Sequence, residues 1–519
     1  MTEVSRLDSG TTGRGEIWQK RAAHLVDGRG FWVCLAAIML LATVLRLPGL
    51  SERSLWLDES YSAWFAALPL HELWTDAPLY ETHPPAYYTL LKGWIALFGD
   101  GEAALRSLSV AASVANVLLL ALAGRLLGLE RHVDRIALLG ALLLALNPSV
   151  VVYAQEARPY ALQMLTATCA ILAAIRLAGL SGAASAAPSA ISTVILGVSA
   201  GAMLWLHNTS LFIAFGIWAG IALAISASGR GYRLRRLAHA FVAGLLALAI
   251  WSPFLPMLIA QARNVTATAF WVRAGMQDLW SGWSLAVGGY PLLAPVLAAT
   301  LIGLVTLGRR SRPAALLVGT ILLLPISAVL AVHFMVRPVF IDRLFIWMAA
   351  PLAMLAAIGL VEGRMAPALR LALAALVIGL SLTAGAQRPG QEDWHDIVKT
   401  IAAESRPGDM LVALPSEIDP AIGYYARRYP ALPRAVYVPG PFPHREAGRV
   451  YVGNLGAPRI EAGDADRIAA ATVAAGRIWL ITRRADLYDP GGIARQAVST
   501  GRVLKLSFDT GPIAIMLFE

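Results

Sequence analysis

The sequence predicts a polytopic α-helical membrane protein carrying a small soluble α/β domain at its C-terminal end. Three observations predict it. Hydrophobic residues make up 57% of the 519 residues and charged ones only 15%, far from the balance of a soluble domain. Apolar runs of about 20 residues, long enough to cross a bilayer, recur along most of the chain. After residue 388 they stop, and short apolar stretches alternate with amphipathic ones.

Residues 1–30 are polar with scattered basic side chains and read as an inner tail. The apolar run that follows is too long for the core of a cleaved leader, so it reads as an uncleaved anchor. The spans are 31–50, 103–124, 136–153, 160–178, 190–206, 210–228, 238–258, 286–307, 314–333, 340–361 and 369–387, eleven in all with room for up to thirteen. Segment 86–98 is apolar but short and carries Lys92, which places it on the membrane surface, within an outer loop 51–102. Lys and Arg gather in 1–30, 125–135, 176–189, 229–237, 308–313 and 362–368, as in RGYRLRR (230–236) and RRSR (309–312). The positive-inside rule puts these segments in the cytoplasm. An odd number of spans then leaves residues 388–519 outside. The same rule accounts for the net charge of +10 without a nucleic-acid partner. Cys34 and Cys169 lie in apolar runs and read as buried thiols.

In the outer domain DMLVALP (409–415), RIWLITRR (477–484) and GPIAIMLFE (511–519) read as strands, and 394–404, 417–428 and 463–475 as helices. There is no glycine-rich phosphate loop and no metal-ligand spacing. The Ala/Ser/Gly stretch 181–190 reads as a flexible inner loop.

On this topology the unusual polar residues fall outside, at membrane ends. They are Asp58 and Glu59 in LWLDESYSAW (55–64), Glu81 and His83 in YETHPPAYY (80–88), and Gln155, Glu156 and Arg158 in YAQEARPYAL (153–162). His207 and Asn208 in LWLHNTS (204–210) and Arg337, Asp342 and Arg343 in VRPVFIDRLF (336–345) complete the set. Ionisable groups are costly to desolvate there and often functional. Carboxylates, imidazoles and guanidiniums on one face suit an anionic, membrane-delivered substrate. Each also has a structural reading. Asp58 can cap a helix, Glu59 can be a solvated neighbour, His83 can close a turn before Pro84-Pro85, His207 can be an interfacial histidine, and Arg158 and Arg343 can snorkel. Asn208-Thr-Ser and Asn264-Val-Thr match the glycosylation acceptor pattern.

WLDES (56–60), HPPAYY (83–88), ALRSLS (104–109), YAQEARPYAL and QEDWHDIVKTIAAESRPGDMLVALP (391–415) together resemble one family over most of the chain. It is the bacterial GT-C glycosyltransferases that use polyprenyl-phosphate sugars, relatives of the protein O-mannosyltransferases and of the lipid A aminoarabinose transferase. The resemblance implies a bacterial inner-membrane enzyme that moves a sugar from a lipid phosphate to an acceptor hydroxyl on protein, lipid or polysaccharide at the outer face. It assigns the catalytic base to Asp58. It also implies a divalent metal near the donor phosphate, on His83, where the family has a carboxylate, and His207.

Physical chemistry points the same way. A sugar on a lipid phosphate already has a leaving group, so no nucleotide is needed. The attacking hydroxyl needs a carboxylate within hydrogen-bond reach, the role given to Asp58. The departing phosphate needs positive charge, which Arg158 and Arg343 can supply as guanidinium forks. Glu156 is expected to orient Arg158, Tyr153 and Tyr160 to line the lipid entry, and Glu59 and Gln155 to support the site. A single displacement inverts the anomeric carbon. The alternative is a transporter or flippase of lipid-linked sugars, which would place charges near mid-membrane on broken helices repeated in two halves. A third reading is a non-catalytic assembly factor of the same fold.

Overall fold

A computed structural model describes residues 29–123, 132–180, 188–229, 231–267, 275–336, 338–384, 392–452 and 454–519, with the side chains of 262–267 excepted. The inner tail, the loop 181–187, Arg337, the Asn264 side chain and the boundary at 388 lie outside the described residues.

Every apolar run becomes helical, as backbone in a bilayer must satisfy its own hydrogen bonds. In chain order the main helices are α1 (Arg29–Arg46), α2 (Leu57–Ala67), α3 (Ala86–Phe98), α4 (Glu102–Ala123), α5 (Val133–Leu146) and α6 (Pro148–Ala154). Next come α7 (Tyr160–Leu177), α8 (Ala190–Leu206), α9 (Ser210–Ala227), α10 (Arg233–Trp251) and α11 (Leu255–Ala267). Then follow α12 (Asp278–Val287), α13 (Tyr290–Arg310), α14 (Arg312–Met335), α15 (Ala349–Glu362) and α16 (Pro367–Thr383). Among the described residues eight stretches are long and apolar enough to cross a membrane, or nine if the bent pair α5–α6 is one span. The two remaining runs, α8 and α16, are shorter, at 17 residues each.

Local chemistry explains the differences from the expected spans. The run 136–153 bends by 63° at Asn147-Pro148. Pro148 opens α6, and the Asn147 side chain caps it by accepting from the Val150 N–H at 3.1 Å. The run 286–307 straddles two helices, because Gly288 at φ 107° closes α12 before α13 begins. Helices α13 and α15 cross very closely. A Cβ on Gly303 would stand 1.9 Å from the Leu355 carbonyl oxygen, and one on Gly359 2.1 Å from that of Ala299. Small residues let membrane helices approach in this way. Arg46 is fully buried rather than snorkelling, and it ties α1 to α4 through Ser113 Oγ (2.9 Å) and to α5 through the Ala145 carbonyl (3.1 Å).

The C-terminal domain, called the outer domain after the side of the membrane expected of it, is a five-stranded sheet with α17 (Trp394–Glu404), α18 (Asp419–Ala426) and α19 (Gly463–Thr472) as its main helices. The strands are β1 (Met410–Leu414), β2 (Arg434–Tyr437), β3 (Ile478–Arg483), β4 (Leu504–Thr510) and β5 (Ile513–Phe518), in the order β2-β1-β3-β5-β4. β1 runs parallel to β2 and β3, with Val412 opposite Val436 and Leu480. β5 pairs antiparallel with β3 and β4. β2 and β4 were not among the expected strands. β2 has only four residues, and β4 lies at the sheet edge with most side chains exposed.

One apolar core unites this domain with the outer end of the helical bundle. Leu55, Phe65, Tyr88 and Leu105 pack in the same cluster as Trp394, Leu411, Tyr425 and Trp479. Arg427 pairs with Asp100 at 2.6 Å and Arg428 with Glu102 at 2.8 Å along the same seam. α2 is therefore held between two bodies.

Candidate active site

α2 carries both carboxylates of the WLDES motif, Asp58 and Glu59. Residues one apart on a helix point about 100° apart, and the pair separates accordingly. Glu59 is 1% exposed. It takes Arg106 in a fork (Nε to Oε1 2.8 Å, Nη2 to Oε2 2.6 Å) and accepts the Ala157 N–H at 2.9 Å. The solvated-neighbour reading of Glu59 is thus corrected: it clamps α2 to α4 and to the loop before α7. The helix start is capped by other groups. Glu392 of the outer domain accepts the Leu57 N–H at 3.1 Å, and Glu59 accepts that of Trp56 at 3.4 Å.

Asp58 faces a cavity of about 370 Å³. Its Oδ2 lies 3.3 Å from Arg343 Nη2 and 3.9 Å from Arg158 Nη2. Burial pushes its carboxyl up, but Arg158 and Arg343 outweigh that and hold it below the usual value. Asp58 is ionised. Arg158 is buried and reaches the Asp58 carbonyl at 3.1 Å, and its Nε has no hydrogen-bond partner. Arg343 lies over the Trp56 ring, 5.5 Å from the centroid. Neither arginine snorkels.

His83 donates Nδ1 to Glu81 Oε1 at 2.5 Å and meets Arg158 Nη2 at 3.2 Å through Nε2. A guanidinium cannot accept, so Nε2 is the unprotonated nitrogen and Glu81 fixes this tautomer. The His207 ring stands edge-on to it, 4.9 Å between centroids. Its Nδ1 accepts the Thr209 N–H and hydroxyl, and burial with the neighbouring cations depresses its pKa well below 6.5. Both histidines line the cavity, but they do not form the expected metal pair. Both His83 nitrogens are engaged, one by a cation, and no group of three His, Cys, Asp or Glu among the described residues could hold an ion.

Of the supporting residues, Tyr160 lines the cavity, and Tyr153 packs edge-on behind it at 5.4 Å. Gln155 is not at the cavity: it binds Arg53 and the Arg46 and Pro48 carbonyls, stitching the first outer loop to α6. Glu156 does not orient Arg158. Its Oε2 has no partner, and burial, with Glu59 and Asp58 nearby, pushes it up to about 8. Arg158 is oriented instead by the Asp58 carbonyl and His83.

The roof was missed in the sequence. Glu417, Asn454, Arg483, Arg484 and Tyr488 of the outer domain line the same cavity as Asp58. Arg483 bridges Glu392, at 2.8 Å, and Glu417. Tyr488 Oη donates to Glu417 Oε2 at 2.6 Å, and Asn454 donates to Tyr61 Oη at 2.8 Å. In RIWLITRR the strand pattern was read and its terminal arginines were not.

The family described as dolichyl-phosphate-mannose-protein mannosyltransferase matches residues 82–257. The structure of ArnT from Cupriavidus metallidurans in the apo state is similar at a TM-score of 0.59 and 13% identity, over 94% of this chain and 97% of that one. ArnT bound to undecaprenyl phosphate gives 0.57 and 14%, over 94% and 98%. The archaeal oligosaccharyltransferase AglB from Archaeoglobus fulgidus, in complex with an inhibitory peptide and a dolichol-phosphate, gives 0.54 and 14%, over 89% and 70%. No curated protein matches by sequence. The fold is therefore that of GT-C membrane proteins with a C-terminal sheet domain, and the motif resemblance coincides with it.

Proposed function

We propose that this chain is an inner-membrane glycosyltransferase that moves a sugar from a polyprenyl-phosphate carrier to an acceptor hydroxyl outside the membrane. One observation carries the reading: the Asp58 carboxylate and the guanidiniums of buried Arg158 and half-buried Arg343 meet in one cavity at the ends of membrane helices. The neighbours of like fold, solved with undecaprenyl phosphate and with a dolichol-phosphate, support a lipid phosphate as ligand.

The acceptor oxygen attacks C1 while the C1–O bond to phosphate breaks, and the acceptor proton passes to Asp58. The phosphate leaves with the bonding electron pair, and Arg158 and Arg343 hold the charge it gains. Before the donor arrives these arginines hold the Asp58 carboxyl below its usual value and so weaken it as a base. Sharing them with a phosphate frees the carboxylate and makes it a better base. Glu59 is spent on Arg106, so the neighbouring carboxylate is not a second nucleophile, which favours a single displacement with inversion. No step runs through a metal.

The test is sugar transfer, or donor hydrolysis, by purified protein with a panel of labelled undecaprenyl-phosphate sugars. Asp58→Asn is expected to cut turnover by 10²-fold or more, as general-base loss does, while still binding donor. Equal turnover by Asp58→Asn would overturn the mechanism. If wild type turned over no donor, the transporter reading would move ahead.

A further inference from the structure

The outer domain places its own polar cluster over Asp58, and its topology says why. β1 sits between β2 and β3 and runs parallel to both. The chain leaves β1 toward one side and returns from β2 to the other, so the β1/β3 gap is a topological switch point. In open α/β sheets ligands bind outside the carboxyl ends of the strands at such a point. Here those ends deliver Glu417, just beyond β1, and Arg483 and Arg484, at the end of β3, all lining the cavity.

We propose that this crevice is the sugar-reading part of the cavity, in which Glu417, Arg483 and Tyr488, with Asn454 and Tyr61 beside them, hold hydroxyls of the donor's glycosyl group. The inference rests on the glycosyltransferase reading above. Charge divides the cavity in two. On the membrane side Arg158 and Arg343 share the single carboxylate Asp58 within ion-pair range, which leaves excess positive charge for a phosphate. On the roof Arg483 already lies between Glu392 and Glu417. Arg484 is likewise paired, with Asp486 at 3.0 Å, so among the described residues the roof has no spare cation to draw the phosphate. It offers hydroxyl, amide and carboxylate groups, the mixed donors and acceptors that neighbouring sugar hydroxyls need. Tyr61 lies one helical turn after Asp58, so a ring held there keeps C1 near the base.

Backbone strain marks the same place. Arg484 has φ 47°, in the left-handed region, and its N–H is fastened to the Pro512 carbonyl at 2.9 Å. Non-glycine residues held this way cluster at ligand clamps.

The test is equilibrium binding by full-length protein of undecaprenyl phosphate, bare or carrying mannose, glucose, galactose, N-acetylglucosamine or aminoarabinose. Wild type should prefer one sugar-bearing lipid over the bare one. Tyr488→Phe, which removes one oxygen, and Glu417→Gln should each lower that preference about tenfold and leave affinity for the bare lipid within about twofold. Arg343→Lys should weaken bare and sugar-bearing lipids alike. Preference retained in both roof variants would overturn the sugar-reading role alone, as would a fall in bare-lipid affinity that matched it. If wild type preferred no sugar-bearing lipid, the glycosyltransferase reading and this one would fall together.

Discussion

Glu156 is a buried carboxyl among Glu59, Asp58, Arg158 and Arg343, with one oxygen unpartnered. Its pKa is raised to about 8 from 4.5, chiefly by burial, so it is protonated at neutral pH. A raised value means the folded state holds the proton more tightly than the unfolded chain. That contribution is complete below about 4.5 and is lost as pH rises through about 8. Thermal midpoints in detergent should therefore fall between those values, and Glu156→Gln should flatten the fall. An unchanged slope in Glu156→Gln would show that another group titrates. At this scale the membrane half of the site was legible. Asp58, His83, Arg158, His207 and Arg343 stand out because charge is rare in an apolar chain, and all five line the cavity. Glu417, Arg483 and Tyr488 were invisible for the opposite reason: in a soluble domain polar residues give no contrast, and only the folded sheet brings them over Asp58.

The crossing of α13 and α15 shows how elements constrain one another. A methyl on Gly359 would meet the Ala299 carbonyl oxygen at 2.1 Å, and backbone cannot step aside as a side chain can. Gly359→Ala should lower stability by about 1–3 kcal/mol, the usual cost of overpacking, read as a lower thermal midpoint with donor binding retained at low temperature. A midpoint equal to wild type would mean that the helices part freely. Hydropathy found the long apolar stretches but caught only the last two residues of α12 (Asp278–Val287), and it read through the breaks at Asn147-Pro148 and Gly288, since a moving average smooths over a proline or a left-handed glycine. The outer strands that escaped notice, β2 and β4, are the short one and the exposed edge, where apolar alternation is weakest.

For the whole molecule, orientation decides whether Asp58 meets periplasmic acceptors. In a variant free of Cys34 and Cys169, Val473→Cys in the outer domain should react with an impermeant maleimide when the outer membrane alone is opened. Gly229→Cys, beside the basic run 230–236, should react only after the inner membrane is breached. The reverse pattern would invert the proposed topology. The presence of a C-terminal sheet domain was legible as a change of composition, but the shared core was not, because contacts between distant segments leave no periodic trace. Phe442 of the outer domain packs on Tyr61, Trp64 and Tyr80, with ring centroids 5.0, 5.2 and 5.7 Å away, and so fastens that domain to the helix that carries Asp58. On the proposed chemistry, Asp58 would deprotonate a stray water as readily as an acceptor. Fidelity, the share of activated sugar delivered rather than spilled, would then depend on how firmly that one phenyl ring stays seated.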